Sequence, residues 1–140
     1  MQFNRDLMAI SRYLRRQRNQ YLEPFGLKSL HSRYLIEVCE NPGISQDRLS
    51  QRLGTDKSNI ARQVAFLEEA GFIRRSPGQA DKRVQELYPT EKTQTLLPGL
   101  QEAMETWENH LLRALTEPEQ DQFMTLLSRI RTSIEQEEGE

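Results

Sequence analysis

The chain is poor in cysteine and in aromatic residues, and it contains no long apolar run. Its one cysteine, Cys39, excludes a framework of intramolecular disulfides. No apolar stretch approaches the roughly 18 residues of a membrane span, and residues 1–16 lack the apolar core of a signal peptide. A length of 140 residues suits one domain, 1–140, with a core of ordinary size. We therefore expect a protein that stays in the cytoplasm and has no membrane partner.

Motifs for catalysis and for metal binding are also absent from the sequence. It contains no Gly-rich phosphate loop, no G-x-S-x-G element and no closely paired histidines. His31 and Cys39 are eight positions apart and His110 is distant in the chain, so no compact ligand pair exists. Carboxylates are plentiful, but they follow the polar faces of predicted helices, where they usually meet solvent. The sequence thus predicts no enzyme, no catalytic residue, no metal ion and no cofactor.

Residues 45–75 predict two short helices joined by a turn and followed by a strand. Ser45 is a suitable cap for the first helix, whose apolar residues Leu49 and Leu53 lie one turn apart. Gly54 then permits the backbone excursion that a sharp turn between helices requires.

The second of these helices has one apolar face and one polar face. Asp56 is a suitable cap, and Ile60, Val64 and Leu67 fall on one stripe. The opposite face carries Lys57, Ser58, Asn59, Arg62 and Gln63. Such side chains form hydrogen bonds with phosphates and base edges in a major groove, so the pair predicts a helix-turn-helix. The alternative is an ordinary αα-hairpin whose polar face meets only water.

A β-hairpin is predicted directly after the helix pair. Two short runs that carry apolar residues, 72–76 and 84–88, flank a segment rich in turn-forming residues with a Pro-Gly pair. A hairpin in this position is a wing, and its loop carries Lys82 and Arg83. We expect these cations to follow a phosphate strand or to enter a narrow minor groove.

Residues 27–90 resemble the MarR-type winged-helix transcription regulators, and the flanking helices extend the resemblance to nearly the whole chain. The resemblance rests on the helix pair with KSNIARQVAFLEEAGFIRR, on Asp81-Lys82-Arg83, and on the run from Tyr88 to Lys92. It implies a mainly α fold with a small β-hairpin wing, in which 27–92 form the winged helix-turn-helix and 1–24 and 93–140 are dimerisation helices.

The resemblance also implies how the chain would meet double-stranded DNA. Residues matching Lys57 to Arg62 lie in the major groove, and the arginine matching Arg83 enters the minor groove, held by the aspartate matching Asp81. With the arginines that end the first strand, the predicted DNA-binding residues are Lys57, Ser58, Asn59, Arg62, Gln63, Arg74, Arg75, Asp81, Lys82 and Arg83. Two positions depart from the family pattern: Thr55 replaces an aliphatic residue, and Thr93 replaces a frequent glycine with little expected consequence.

Charge is distributed unevenly, although the net charge is only −2. Residues 1–44 carry +3 and residues 45–92 carry +2, whereas residues 93–140 carry −7. The acidic residues therefore lie away from the predicted DNA face, where the local field matters more than the total. The acidic end can equally be a solubilising surface and nothing more.

The flanking helices carry more apolar surface than a single chain of this length covers. A first helix ending near Leu22 and a second over about 28–40 are each amphipathic. Two more stripes follow the wing: Leu97, Leu100, Met104, Trp107 and Leu111, and then Phe123, Leu126, Leu127, Ile130 and Ile134. We expect a homodimer that binds an inverted repeat and acts as a repressor, with a closed monomeric bundle as the alternative.

A small aromatic or anionic effector is implied by the resemblance, because the family usually has a pocket between the dimerisation helices and the winged part. The candidates near that junction are Tyr13, Arg16, His31 and Tyr34. The arginine would pair with a carboxylate and the tyrosines would stack on a ring, although each also reads as a core aromatic or a solvated charge.

Two further interpretations of the chain remain open. The first is a redox-responsive regulator acting through Cys39, although peroxide-responsive members have their cysteine near the N-terminal helix. The second is a winged-helix adaptor for protein partners, which would tend to lose the basic and amide side chains. Lys57, Asn59, Arg62 and Arg83 are all present, and this favours DNA.

Overall fold

A computed structural model describes residues 1–139 of the chain, and over these residues the fold is mainly helical with a small antiparallel sheet. The elements are α1 (Gln2–Leu22), α2 (Ser29–Glu40), β1 (Ile44–Ser45), α3 (Gln46–Leu53), α4 (Lys57–Glu69), β2 (Ile73–Pro77), β3 (Gln85–Pro89), α5 (Glu91–Leu111) and α6 (Glu117–Glu138). Two compact units are present, Met1–Met104 and the residues from Glu105 onward. The predicted mainly α fold with a hairpin wing is confirmed.

The core of the first unit lies where α2, α3 and α4 meet the sheet. Its fully buried side chains are mostly leucine, with one tyrosine and one phenylalanine, and they include Leu35, Leu49, Leu67, Phe72 and Leu87. Burial of each such side chain is worth about 1.5–3 kcal/mol, so this cluster is the main source of stability for the winged part. Leu30 lies in the first turn of α2 and is exposed.

The sheet has three strands in the order β1-β3-β2, all antiparallel. Leu87 lies in the central strand, opposite Ile44 on one side and Arg75 on the other. The sequence predicted only the β2–β3 hairpin. β1 has two residues, too few to show the alternation by which a strand is recognised, and its pairing with β3 is a contact between distant parts of the chain.

The start of α5 is fastened to the end of the α4–β2 connection by side-chain hydroxyls. Thr93 is fully buried, and its Oγ1 donates to the Phe72 carbonyl at 2.6 Å. Thr90 Oγ1 donates to the Gly71 carbonyl at 2.6 Å. Thr93 was expected to matter little, yet its hydroxyl joins α5 to the wing by a buried hydrogen bond.

A capping residue fixes the start of the last helix, whereas a proline lies inside the helix that precedes it. α5 begins at Glu91 and continues through Pro98 to Leu111. α6 begins directly after Thr116, because Thr116 Oγ1 accepts the Glu119 backbone N–H at 3.4 Å and the Glu119 carboxylate accepts the Thr116 backbone N–H at 3.3 Å. Among the described residues, none of the helices is both long and apolar enough to cross a membrane.

Apolar side chains remain exposed on the first and the last helix. α6 has no buried residue, and its stripe of Phe123, Leu126, Leu127, Ile130 and Ile134 is 42–52% exposed. On α1 the exposed apolar residues are Phe3, Leu7, Met8 and Ile10. Single exposed leucines are normal, whereas contiguous stripes indicate a surface that another molecule covers.

We expect Thr93→Val to lower the free energy of unfolding by about 1 kcal/mol, because it removes the buried bond to Phe72 and keeps the side-chain volume. Urea titration at one fixed protein concentration measures the change. Thr95→Val, at an exposed position of the same helix, is the matched control and should shift stability by less than about 0.5 kcal/mol. Equal losses in the two variants would show that the Thr93 hydroxyl contributes nothing specific.

Candidate nucleic-acid interface

The turn between α3 and α4 has the geometry that the sequence predicted. Gly54 adopts a left-handed conformation with φ 61°, which suits glycine because it has no Cβ. Ser45 caps α3 by accepting the Arg48 N–H at 3.1 Å, and Asp56 caps α4 by accepting the Asn59 N–H at 2.7 Å. Each of the two helices therefore begins at a capping residue, and the glycine turn separates α4 from α3.

The rotation of α4 about its axis exposes three of the predicted contact residues. Ile60, Val64 and Leu67 are at most 1% exposed and pack into the core. Lys57, Ser58 and Arg62 are exposed in consequence. These side chains supply two cations and a hydroxyl, groups that bind phosphate oxygens and guanine edges.

The other two predicted contact residues of α4 lie on the side of the helix that faces α2. Asn59 and Gln63 are half-buried. Asn59 Nδ2 donates to the Tyr34 hydroxyl oxygen at 3.3 Å, and Gln63 Nε2 donates to Asn59 Oδ1 at 3.3 Å. The sequence pattern assigned both amides to the polar face of α4 and did not predict their contact with α2. A hydrogen bond between residues 25 positions apart leaves no periodic pattern in the sequence.

One turn further along α4, Phe66 lies against α2 as well. Its ring stacks on His31 with centroids 4.1 Å apart and planes 15° from parallel. Burial, together with the nearby charge of Lys28, lowers the pKa of His31, so the imidazole is neutral near pH 7. His31 Nδ1 accepts the Lys28 N–H at 3.2 Å, which fixes the ring at the start of α2. α2 and α4 are thus joined at two points.

The tip of the wing is a tight turn that depends on glycine. Gly78 donates its N–H to the Val84 carbonyl at 2.8 Å, and Val84 donates to the Asp81 carbonyl at 3.1 Å. A Cβ at position 78 would lie 2.6 Å from the Asp81 carbonyl oxygen, closer than real contacts allow. The turn therefore closes only because position 78 has no side chain.

The wing holds Arg83 in place by means of Asp81. Asp81 Oδ1 accepts the Arg83 backbone N–H at 3.0 Å and Nε at 3.1 Å, and Oδ2 accepts Nη2 at 3.1 Å. The bonds from the Arg83 side chain, and then from its backbone, lower the pKa of Asp81, so the carboxylate stays charged. The Arg83 side chain is 91% exposed, and its guanidinium is available to a partner.

The two arginines of β2 have different surroundings. Arg74 is exposed and lies over the Tyr88 ring, 4.4 Å from its centroid. Arg75 is half-buried: its Nε lies 3.2 Å from a Glu68 carboxylate oxygen, and its Nη1 donates to Gln46 at 3.4 Å. Arg75 thus joins β2 to both helices of the helix-turn-helix, whereas Arg74 extends the basic surface of the wing.

The four candidate effector residues are not gathered around one cavity. His31 and Tyr34 are buried and engaged with α4, Tyr13 is half-buried on α1, and Arg16 is exposed on the same helix. A cleft of about 520 Å³ lies instead between α1 and α2, and in the described part of the chain none of the four lines it.

The lining of this cleft is strongly basic. It contains Arg15, Arg18, Lys28 and Arg33 together with Ser11, Leu14, Asn19 and Leu30, and no acidic side chain belongs to this set. Leu30 is thus exposed because it forms part of the cleft wall. The signal that sequence reasoning missed is the spacing of Arg15 and Arg18, which places them on one face of α1.

Cys39 has surroundings that oppose redox sensing. It is half-buried against the core, and burial raises the pKa of its thiol, with the charge of Glu40 adding to the rise. The reactive form of cysteine is the thiolate, which sensor sites favour by lowering the pKa. The structure therefore favours a packing role for this side chain.

Comparisons with known proteins agree with this geometry. A family model described as the MarR family matches residues 25–84. The HTH-type transcriptional regulator YybA of Bacillus subtilis is 35% identical over 104 residues, which is 74% of this chain and 69% of that protein. A crystal structure of MarR superposes with a TM-score of 0.86 at 29% identity, covering 97% of this chain and 99% of the other.

A further solved structure contains DNA. It is a MarR-family transcriptional regulator from Listeria monocytogenes complexed with a 26-mer DNA, with a TM-score of 0.83 and 30% identity. The alignment covers 93% of this chain and 87% of that one. The winged helix, the match to the family model and these relatives together show that the chain belongs to the MarR family and is a transcriptional regulator, not an enzyme.

Proposed function

We propose that the chain is a sequence-specific DNA-binding repressor that acts in the cytoplasm as a homodimer on an inverted repeat. The observation that carries this proposal is the joint exposure of Lys57, Ser58 and Arg62 on α4 and of Arg83 on the wing. One element suits a major groove and the other suits the adjacent minor groove. The DNA-bound relative from Listeria supports the same partner.

The two contact elements would divide the work of recognition. Arg62 has the forked donor set that matches the O6 and N7 acceptors of guanine, while Lys57 and Ser58 lie in the first turn of α4, where free backbone N–H groups also favour phosphate. Arg83 is held in advance by Asp81, so less side-chain freedom is lost when it enters a groove. Tight binding therefore requires the wing turn as much as the helix.

A second copy of the chain is the proposed cover for the apolar stripes of α1 and α6. These stripes include Phe3, Leu7, Phe123, Leu127 and Ile130, each more than 40% exposed in the single chain. Burial of a side chain of this size is worth about 1.5–3 kcal/mol, so leaving both helices in water would be costly. A two-fold dimer presents two α4 helices, and an inverted repeat with half-sites about 10 bp apart fits that symmetry.

Repression is the proposed outcome of binding, because a dimer that covers its site excludes polymerase without needing a further contact. An anionic effector in the α1–α2 cleft is proposed to relieve it. Four cations converge there with Leu14 and Leu30, so the cleft offers charge for a carboxylate and apolar surface for a ring. The cleft also adjoins the start of α2, which is joined to α4 through His31.

The DNA proposal is tested by selection from a pool of duplexes with a randomised centre of about 20 bp, two turns of the helix. We expect the wild-type protein to enrich an inverted repeat. Recovery of the starting pool without enrichment would reject sequence-specific binding.

Asp81→Ala is expected to weaken binding of the selected duplex by roughly 2- to 5-fold, although it removes a negative charge. The reason is that Arg83 loses the carboxylate that holds it. Fluorescence anisotropy at one fixed ionic strength measures the effect. Asp47→Ala, an exposed first-turn residue of α3, removes the same charge and should not weaken binding. Tighter binding by both variants would mean that Asp81 acts only through its charge.

Ile130→Glu is expected to convert the dimer into a monomer, because it places a charge in the apolar stripe of α6. Sedimentation equilibrium gives the mass directly. Thr132→Glu adds the same charge about 200° around the helix and should remain dimeric. A dimer in both variants would remove this stripe from the interface.

Benzoate, used as a simple aromatic carboxylate, is expected to weaken binding of the selected duplex by about fivefold or more. Lys28→Gln should reduce the fold-change in duplex affinity that benzoate causes, since it removes one cation from the cleft. Arg12→Gln, on α1 but outside the cleft lining, is the control, and chloride at equal ionic strength corrects for screening. An identical benzoate effect in both variants would place the effector elsewhere.

A further inference from the structure

We propose that Tyr34 is a positioning residue for base recognition: through Asn59 it orients the amide of Gln63, which reads an adenine. This inference rests on the proposed DNA-binding function. Asn59 and Gln63, which the sequence alone grouped together as DNA contacts, then have different roles. Asn59 positions the amide of Gln63, and Gln63 forms the hydrogen bonds with the base.

Tyr34 combines a core position with a polar contact on α4. The residue is 1% exposed, so its ring is part of the hydrophobic core. A buried hydroxyl needs a partner, and the Tyr34 oxygen accepts a hydrogen bond from Asn59 Nδ2 at 3.3 Å. The packed ring cannot move far, and the position of its hydroxyl is therefore set by the core.

Asn59 has both ends of its side-chain amide occupied. Nδ2 donates to Tyr34 and Oδ1 accepts from Gln63 Nε2 at 3.3 Å. Its backbone N–H is bound to the Asp56 cap at 2.7 Å. A bidentate contact to adenine needs the oxygen and the nitrogen of one amide to face the same base. Both ends of the Asn59 amide face protein partners, whereas among the described residues none donates to the Gln63 carbonyl oxygen, so Asn59 is better suited to support than to reading.

Gln63 retains the hydrogen-bonding groups that recognition of adenine requires. One N–H of Nε2 is given to Asn59, and the carbonyl oxygen and the second N–H remain. That pair matches the N6 donor and the N7 acceptor of adenine in the major groove. Gln63 follows the exposed Arg62 directly, so the reader lies at the edge of the surface proposed to enter the groove.

The Tyr34–Asn59–Gln63 hydrogen bonds lie in a rigid part of the fold. His31 stacks on Phe66 one turn beyond Gln63, and this second contact limits rotation of α4 against α2. A long amide side chain normally loses freedom on binding DNA, and that loss weakens recognition. Here the Tyr34–Asn59–Gln63 bonds order Gln63 when the protein folds, before it meets DNA.

The test repeats the duplex selection with Tyr34→Phe, Gln63→Ala, Arg62→Ala and, as matched control, Tyr21→Phe on α1. We expect Tyr34→Phe and Gln63→Ala to lose preference for the same A·T pair, with Tyr34→Phe reducing it by about 2- to 10-fold, as expected for one hydrogen bond. Arg62→Ala should affect a different pair, and Tyr21→Phe should leave every position unchanged. The double variant Tyr34→Phe/Gln63→Ala should lose no more than Gln63→Ala alone.

A purely structural role for Tyr34 predicts another result. Tyr34→Phe would then weaken binding to all duplexes equally, in step with a lower midpoint of thermal unfolding, and the inference would be overturned. Unchanged preference at every position would overturn it as well. If the wild-type protein itself enriches no sequence, it is the DNA-binding proposal that fails, so the two failures are distinguishable.

Discussion

The burial of Ile60, Val64 and Leu67 fixes the rotation of α4, and most of the surface of the winged part follows from that one constraint. With these three side chains in the core, Arg62 must face outward and Asn59 must face α2. A rotation of the helix by a quarter turn would bury a charge or expose a leucine, and either change is costly. Hydrophobic packing thus determines which polar groups are offered to a partner and which become internal supports.

Local signals predicted much of this fold. Caps such as Ser45 and Asp56 act within one turn, and apolar stripes repeat within one helix, so both can be read from a short window. The features that were missed are long-range: the pairing of β1 with β3, the hydrogen bond from Thr93 to Phe72, and the basic cleft between α1 and α2. Their partners are far apart in sequence, and spacing carries no information about them.

The residues of the candidate interface also divide into those that a local sequence pattern predicts and those whose role only tertiary packing reveals. The exposed residues of α4 and the Asp81–Arg83 pair belong to short, local motifs, and the sequence predicted them as DNA contacts. The roles of Tyr34, His31 and Arg75 depend on which element packs against which, and no local pattern reveals that Arg75 joins β2 to α4 while Arg74 stays exposed. Residue type identified the basic surface, and tertiary packing decided how each member of it is used.

The absence of a side chain at Gly78 limits which substitutions the wing of this chain tolerates. A Cβ there would collide with the Asp81 carbonyl oxygen, so any replacement must open the loop and shift Arg83 with it. Positions 82 and 83 carry no such restriction, because both are exposed. Substitutions at positions 82 and 83 therefore change the chemical groups at the tip of the wing, while the backbone of its turn keeps its shape.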